Sequence, residues 1–215
     1  MSDVESKTTA DSAPKKKIGS PLLRFIIIVF AWLPVMFALW YLAAPILMLP
    51  VKWLTQLFTH VAFPDLVRQI IFAARELEFV TTLHPGEAYG NAAVSVDVNV
   101  LLYSFGLPMY AALVLAAGGG KQMWKSLLIG YLVMLPFIVW GVTADFLKNI
   151  TFSAGAFVAS QAGFSALQRE VIAFAYQFGT LILPTVIPAI TWVLTHRRFL
   201  ERLRGEINQF KTKHT

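Results

Sequence analysis

Cysteine is absent from the 215 residues, and charged residues make up only 14% of them. The lack of thiols excludes disulfides, zinc–thiolate sites, iron–sulfur clusters and a cysteine nucleophile. The charged fraction is well below the roughly 25% that is typical of soluble domains, and 57% of the residues are hydrophobic. This composition excludes a disordered chain and favours an integral membrane protein over a soluble enzyme.

The sequence also lacks the short motifs that mark common enzyme sites. It contains no P-loop, no dinucleotide-binding glycine pattern, no GxSxG and no HExxH. None of its four histidines stands at metal-ligand spacing from another; they are His60, His84, His196 and His214. We therefore expect neither a metal nor a cofactor.

Long uncharged runs predict four transmembrane helices, because about 20 apolar residues span a bilayer. The first span is expected at 21–51; its uncharged run, 25–51, contains three prolines, and the span is expected to be an uncleaved signal anchor. The other three spans are expected at 101–117, 127–144 and 171–194. Residues 150–167 are also uncharged but are rich in Ser, Gly, Ala and Gln, so an interfacial or re-entrant helix is favoured there over a fifth span.

The distribution of Lys and Arg predicts the orientation. With four spans, the 18 Lys and Arg residues divide thirteen to five, which places both termini in the cytoplasm of a bacterial inner membrane. A disordered tail (1–20), a turn (118–126) and a basic helix (195–215) would then be cytoplasmic, and an interfacial segment (145–170) external. The net charge of +6 is thus a topology signal, and we expect the bilayer, not nucleic acid, as a partner.

The largest predicted external segment is 52–100. Apolar residues recur every three or four positions in 53–61 and again in 66–74, which predicts two amphipathic helices on the membrane surface. In 77–83 and 94–100 the period becomes two, which predicts a β-hairpin. A lone hairpin is marginal in water, so its apolar face must be covered, and its free edges can accept a strand from another chain.

The predicted fold class is therefore a mainly α integral membrane protein. Four transmembrane helices carry an external loop of two amphipathic helices and a β-hairpin.

Polar side chains beside the hairpin and the second span are the candidates for a site at the outer interface: Asp97, Asn99, Tyr103, His84 and Glu87. Polar groups at such a depth are costly unless they are satisfied. In the functional interpretation these residues bind a substrate there. The favoured interpretations are structural: Asp97 and Asn99 cap the start of the helix, and His84 and Glu87 lie in a solvated loop. Asp145 and Lys148 are three residues apart, which is typical of a surface ion pair.

Two stretches resemble the exosortase H-associated membrane proteins, a family of the bacterial inner membrane. They are Trp32–Pro34 with Phe37–Tyr41 and Ala44–Pro45, and Val98–Pro108. The family often has proline after the asparagine of the second stretch, where this chain has Val100. The resemblance implies an accessory role beside a transpeptidase-like sorting enzyme, whose class uses Cys with Arg and His. A chain without cysteine is not that enzyme, and no catalytic residue is carried over.

The sequence thus predicts a non-catalytic accessory or scaffold protein that contacts an exosortase-type enzyme or its substrate on the outer face. The alternative is a membrane enzyme or lipid-handling protein that uses the polar interface residues. A channel or transporter ranks last, because the predicted spans contain no buried charge and no evident inverted repeat.

Overall fold

The computed structural model describes residues 21–73, 75–86, 92–118 and 120–212. The predicted tail (1–20) and Glu87 lie outside the described residues. The chain is mostly helical, and its helices are α1 (Pro21–Leu47), α2 (Leu49–Ala62), α3 (Leu101–Ser104), α4 (Gly106–Ala117), α5 (Met123–Lys148), α6 (Ala156–Ala162), α7 (Ala166–Gln177), α8 (Leu183–Thr195) and α9 (Arg197–Thr212). A 3₁₀ turn (Gly120–Gln122) precedes α5, and π-helical turns follow α5 (Asn149–Ser153) and α7 (Phe178–Ile182).

Three helical stretches are long and apolar enough to cross a membrane: Pro21–Leu47, Met123–Ser153 and Ala166–Thr195. They overlap three of the four predicted spans. The fourth prediction falls on Leu101–Ala117, an apolar helix that is shorter than the other three. At 1.5 Å per residue it is about 25 Å long, against a hydrocarbon core of about 30 Å. A fourth crossing therefore stays a prediction.

The short apolar helix lies inside the bundle. α4 packs against α1, α5 and α8, and its Tyr110 ring lies so close to Gly130 of α5 that a Cβ at Gly130 would overlap it. Tyr110 is 2% exposed, and Ala112 and Val114 are fully buried. Glycine at position 130 thus permits the close approach of α4 and α5 that encloses these side chains.

A three-stranded antiparallel sheet stands at one end of the bundle, which we call the sheet end. Its strands lie in the order β1 (Val67–Ala73), β2 (Glu76–Thr81) and β3 (Ser95–Asn99). The predicted hairpin is formed by β2 and β3. One sheet face is buried, and its Phe79 stacks on Phe146 of α5 with ring centroids 4.3 Å apart. The sheet and the bundle therefore share one hydrophobic core.

The second predicted amphipathic helix is wrong, because residues 67–73 form strand β1. The register of β1 shifts between Val67 and Gln69, so Val67 and Ile70 are both buried although they are three residues apart. A bulge of this kind breaks the two-residue alternation of a strand. The resulting spacing of three resembles the spacing of a helix in the sequence. In the structure, β1 pairs with the edge of β2 that is not paired with β3.

Helix α2 corresponds to the first predicted amphipathic helix. It turns Val51, Thr55 and Thr59 towards the protein, where all three are buried. Its predicted apolar face is left exposed: Trp53, Leu54, Leu57, Phe58 and Val61. A helix that buries small polar residues and exposes its apolar stripe suits a membrane surface.

Residues 154–165, between the stretches Met123–Ser153 and Ala166–Thr195, contain no helix of spanning length. The short helix α6 lies between Gly155 and Gly163, which both have positive φ angles. Positive φ is readily adopted by glycine and is incompatible with a regular right-handed helix, so these two glycines bound α6.

Candidate functional site at the sheet end of the bundle

The structure separates the polar residues that the sequence grouped near the second span. Asp97 is exposed on β3, directly opposite Glu78 of β2. The Asn99 side chain accepts a hydrogen bond from the backbone N–H of Leu101 (3.0 Å), the first residue of α3. Tyr103 is 3% exposed and lies inside the bundle. Asp97 and Tyr103 therefore belong to different surroundings, with Asn99 in a capping position between them.

His84 lies at the far end of the hairpin, where α6 holds its backbone. The Gln161 side chain accepts from the His84 N–H (3.1 Å) and donates to the His84 carbonyl (2.7 Å). The imidazole Nδ1 is 3.2 Å from the carbonyl oxygen of Ala92. His84 is thus a point of attachment between the sheet and α6.

A buried polar cluster, which we call the Asp145 cluster, lies where α3, α5 and the second π-helical turn meet. The Asp145 residue is 8% exposed. Its carboxylate accepts from the Asn149 amide (3.1 Å) and lies 3.7 Å from the Lys148 ammonium. The Tyr103 hydroxyl lies near Asp145 and Thr180. The predicted surface pair therefore joins a largely buried carboxylate to a half-buried ammonium, with Asn149 as a further polar partner.

Local backbone features bring this cluster together. The Tyr103 ring fits against Gly141 so closely that a Cβ there would overlap it. π-Helical turns begin at Asn149 and Phe178, and each carries or adjoins a residue of the cluster. Such turns occur mostly as single irregularities and are frequent at functional sites. In the second turn, Thr180 donates its hydroxyl to the carbonyl of Tyr176 (2.8 Å).

Charge within the Asp145 cluster is balanced by Lys148. The Lys148 ammonium also lies 4.8 Å from the centroid of the Tyr176 ring, a favourable cation–π position. A buried ion pair with further hydrogen bonds is costly to break from one side. The arrangement thus fixes α3, α5 and α7 relative to one another.

In the described part of the chain, no group of three His, Asp or Glu residues could hold a metal ion.

The sequence did not predict that Thr180 and Tyr176 belong to this cluster, or that Asp145 is buried. Thr and Tyr in apolar helices carry no local signal of a shared site, since they meet only through packing. The one available signal was the position of Asp145 at the end of an apolar run, because ionisable residues at membrane depth are usually paired and functional.

The second face of the sheet is exposed and acidic. Glu76 and Asp97 are exposed, and Glu78 is half-buried. Glu78 and Asp97 are directly paired in register, and like charges in that position destabilise a sheet. No salt bridge to either carboxylate is present among the residues that the structure describes. We call this surface the acidic sheet face.

A family model described as exosortase H-associated membrane protein matches residues 19–199. No curated protein and no solved structure shows significant similarity to the chain.

Proposed function

The chain belongs to the exosortase H-associated membrane protein family, and we propose that it is a non-catalytic accessory protein of the bacterial inner membrane. The family description indicates a membrane protein that is associated with exosortase H. In this proposal the chain holds the sorting enzyme, or the enzyme's substrate, at the outer face of the membrane. Its own residues position the partner and make or break no covalent bond.

One structural observation supports the sheet as the docking surface. The sheet is fixed to the bundle on one face through Phe79 and Phe146, while the other face is exposed and carries Glu78 opposite Asp97. The repulsion between these carboxylates would be relieved by a basic partner surface, since complementary charges favour encounter and registration. A rigidly held surface with an unbalanced charge is suited to recognition.

The charge distribution supports an outward sheet. With Leu101–Ala117 as a fourth crossing, both termini and the 118–126 turn share the side with thirteen of the 18 Lys and Arg residues. The sheet then lies on the opposite, outer side. The proposal therefore includes four crossings and cytoplasmic termini.

The absence of cysteine supports a division of labour. The sorting-enzyme class uses a Cys with Arg and His, so its chemistry must reside in another chain. The Asp145 cluster offers a carboxylate that is already paired with Lys148, which suits a structural role better than acid–base catalysis.

Charge reversal on the acidic sheet face tests the proposal. We expect Glu78→Lys combined with Asp97→Lys to lower co-purification with the exosortase-type enzyme, because two lysines would repel a basic partner surface. A loss of about 1.4 kcal/mol of binding free energy corresponds to a decrease of about tenfold. Glu206→Lys reverses an exposed charge in α9 and should leave co-purification unchanged. Equal recovery of the enzyme with both variants, at equal abundance, would contradict the proposed docking surface.

The alternative, a membrane enzyme or lipid-handling protein, is tested by single substitutions. If Asp97→Ala abolishes function while the variant's abundance and its co-purification with the sorting enzyme are unchanged, the result would favour a site for a small substrate. Asn99→Ala should instead lower abundance, because loss of a capping side chain costs about 1 kcal/mol.

A further inference from the structure

An apolar cavity of about 350 Å³ lies between α2, α5 and α7 near the sheet end. Its walls include Phe58, Phe63, Trp140, Leu147, Phe164 and Ala175. An apolar cavity of about 150 Å³ already stays dry and accepts a small hydrocarbon, and ligand sites usually begin at about 300 Å³. The cavity is therefore of a size and chemistry that suit a hydrocarbon group.

The mouth of the cavity lies on a surface that is suited to lipid. Leu167 and Val171 line the cavity and are 75% and 57% exposed. Both belong to Ala166–Thr195, which is long and apolar enough to cross a membrane. Phe58, which also lines the cavity, belongs to the exposed apolar stripe of α2. A hydrocarbon chain can thus enter sideways from the bilayer without crossing water.

The positively charged side chain of Arg169 lies beside this mouth. Arg169 is exposed, and its Nε donates a hydrogen bond to the carbonyl of Phe164 (3.2 Å), a wall residue. Arg169 forms no salt bridge among the described residues, although Glu170 follows it in the chain. Lys148, the other cation of this region, is occupied by Asp145. The terminal nitrogens of Arg169 have no hydrogen-bond partner among the described residues and are available for a phosphate, for which the planar guanidinium is well suited.

We propose that the cavity binds one acyl chain of an anionic phospholipid, with the lipid phosphate at Arg169. The apolar walls account for the chain, and the adjacent guanidinium accounts for the phosphate. A bound lipid would fill the gap between α2 and α7 and so support the helix that underlies the sheet. This site is distinct from the acidic sheet face and does not depend on the proposed partner.

Native mass spectrometry of the full chain in detergent tests the site, with added phosphatidylglycerol or phosphatidylcholine. We expect one phosphatidylglycerol to be retained about tenfold more tightly than phosphatidylcholine. Arg169→Gln should abolish this preference, whereas Arg68→Gln, which removes an exposed arginine of β1, should keep it.

Filling the cavity provides the second arm of the test. Ala175→Trp should reduce binding of both lipids by about tenfold, and Ala189→Trp, on the exposed surface of α8, should not. The thermal unfolding midpoint without added lipid reports whether each variant is folded, and Arg169→Gln tests the site even if Ala175→Trp fails to fold. Unchanged binding in Arg169→Gln, equal losses in both tryptophan variants, or a protein segment instead of lipid in the cavity would overturn the proposal.

Discussion

The side-chain amide of Gln161 is hydrogen-bonded to both backbone polar groups of His84, which lies 77 residues earlier in the chain. It accepts from the N–H at 3.1 Å and donates to the carbonyl at 2.7 Å. A single side chain thus satisfies both backbone polar groups of His84, which lies beyond the end of β2. The contact joins the sheet to α6, and the Phe79–Phe146 stack joins it to α5.

Replacing Gln161 by Ala should loosen the far end of the hairpin. Two hydrogen bonds of about 1 kcal/mol each are lost, and about 1.4 kcal/mol corresponds to a tenfold change in local opening. We expect the backbone amide hydrogen of His84 to exchange at least about tenfold faster in Gln161→Ala than in the wild-type protein, as measured by hydrogen–deuterium exchange. Gln69→Ala on the exposed side of β1 is the control, and equal exchange in both variants would mean that α6 does not hold the sheet.

Removing the Tyr103 hydroxyl should destabilise the bundle. Tyr103→Phe keeps the ring against Gly141 but removes a buried hydroxyl that lies near Asp145, at a cost of about 1 kcal/mol. The unfolding free energy in mixed micelles measures the loss. Tyr41→Phe, at a residue that is 47% exposed, should change it by less than about 0.5 kcal/mol. A Tyr103→Phe variant as stable as wild type would show that the Tyr103 hydroxyl does not stabilise the Asp145 cluster.

Two glycine substitutions should have opposite signs. An added Cβ at Gly141 would overlap the Tyr103 ring, whereas one at Gly205 of α9 meets nothing within 4 Å. Gly141→Ala should cost about 1–3 kcal/mol through overpacking. Gly205→Ala should raise helix stability by up to about 1 kcal/mol. Thermal unfolding in one detergent compares them, and a neutral Gly141→Ala would show that α3 and α5 do not approach this closely.

His196, between α8 and α9, should make stability depend on pH. Burial lowers the pKa of His196 below the ordinary value of 6.5, and its backbone hydrogen bond with Trp192 offsets only part of this effect. Below pH 6.5 the unfolded chain then binds more protons than the folded one, so the stabilising contribution is present above pH 6.5 and is lost as the pH falls.

The thermal midpoint should therefore fall less in His196→Gln than in wild type between about pH 7.5 and about pH 5.5. His60→Gln, at an exposed histidine of α2, should behave like wild type. The same fall in all three proteins would exclude a role for His196.

The apolar helices could be predicted because their signal is local. Each of the three candidate spans is a long run with few charges, and such a run needs no partner to be recognised. Strand β1 could not be predicted, because its bulge at Val67–Gln69 spaces the buried residues as a helix would. Only its pairing with β2, which is a tertiary contact, decides the outcome.

The candidate site was less accessible to sequence reasoning than the fold. Asn99 and Leu101 are neighbours in the chain, so helix capping could be considered from sequence. Tyr103, Asp145 and Thr180 come from three separate helical segments and lie near one another through tertiary packing, which includes the close fit of the Tyr103 ring against Gly141. The acidic sheet face depends on strand register, which places Glu78 opposite Asp97.

Photocrosslinking from the acidic sheet face determines whether the sheet contacts the sorting enzyme or its substrate. Photoreactive residues would replace Ser95 and Asp97, which are exposed on β3, and Asn208, which is exposed on α9, in cells that contain the exosortase-type enzyme. We predict adducts with the enzyme or its substrate from Ser95 and Asp97, and none from Asn208. Adducts with lipid alone, or the same protein adducts from all three positions, would contradict a docking role for the sheet.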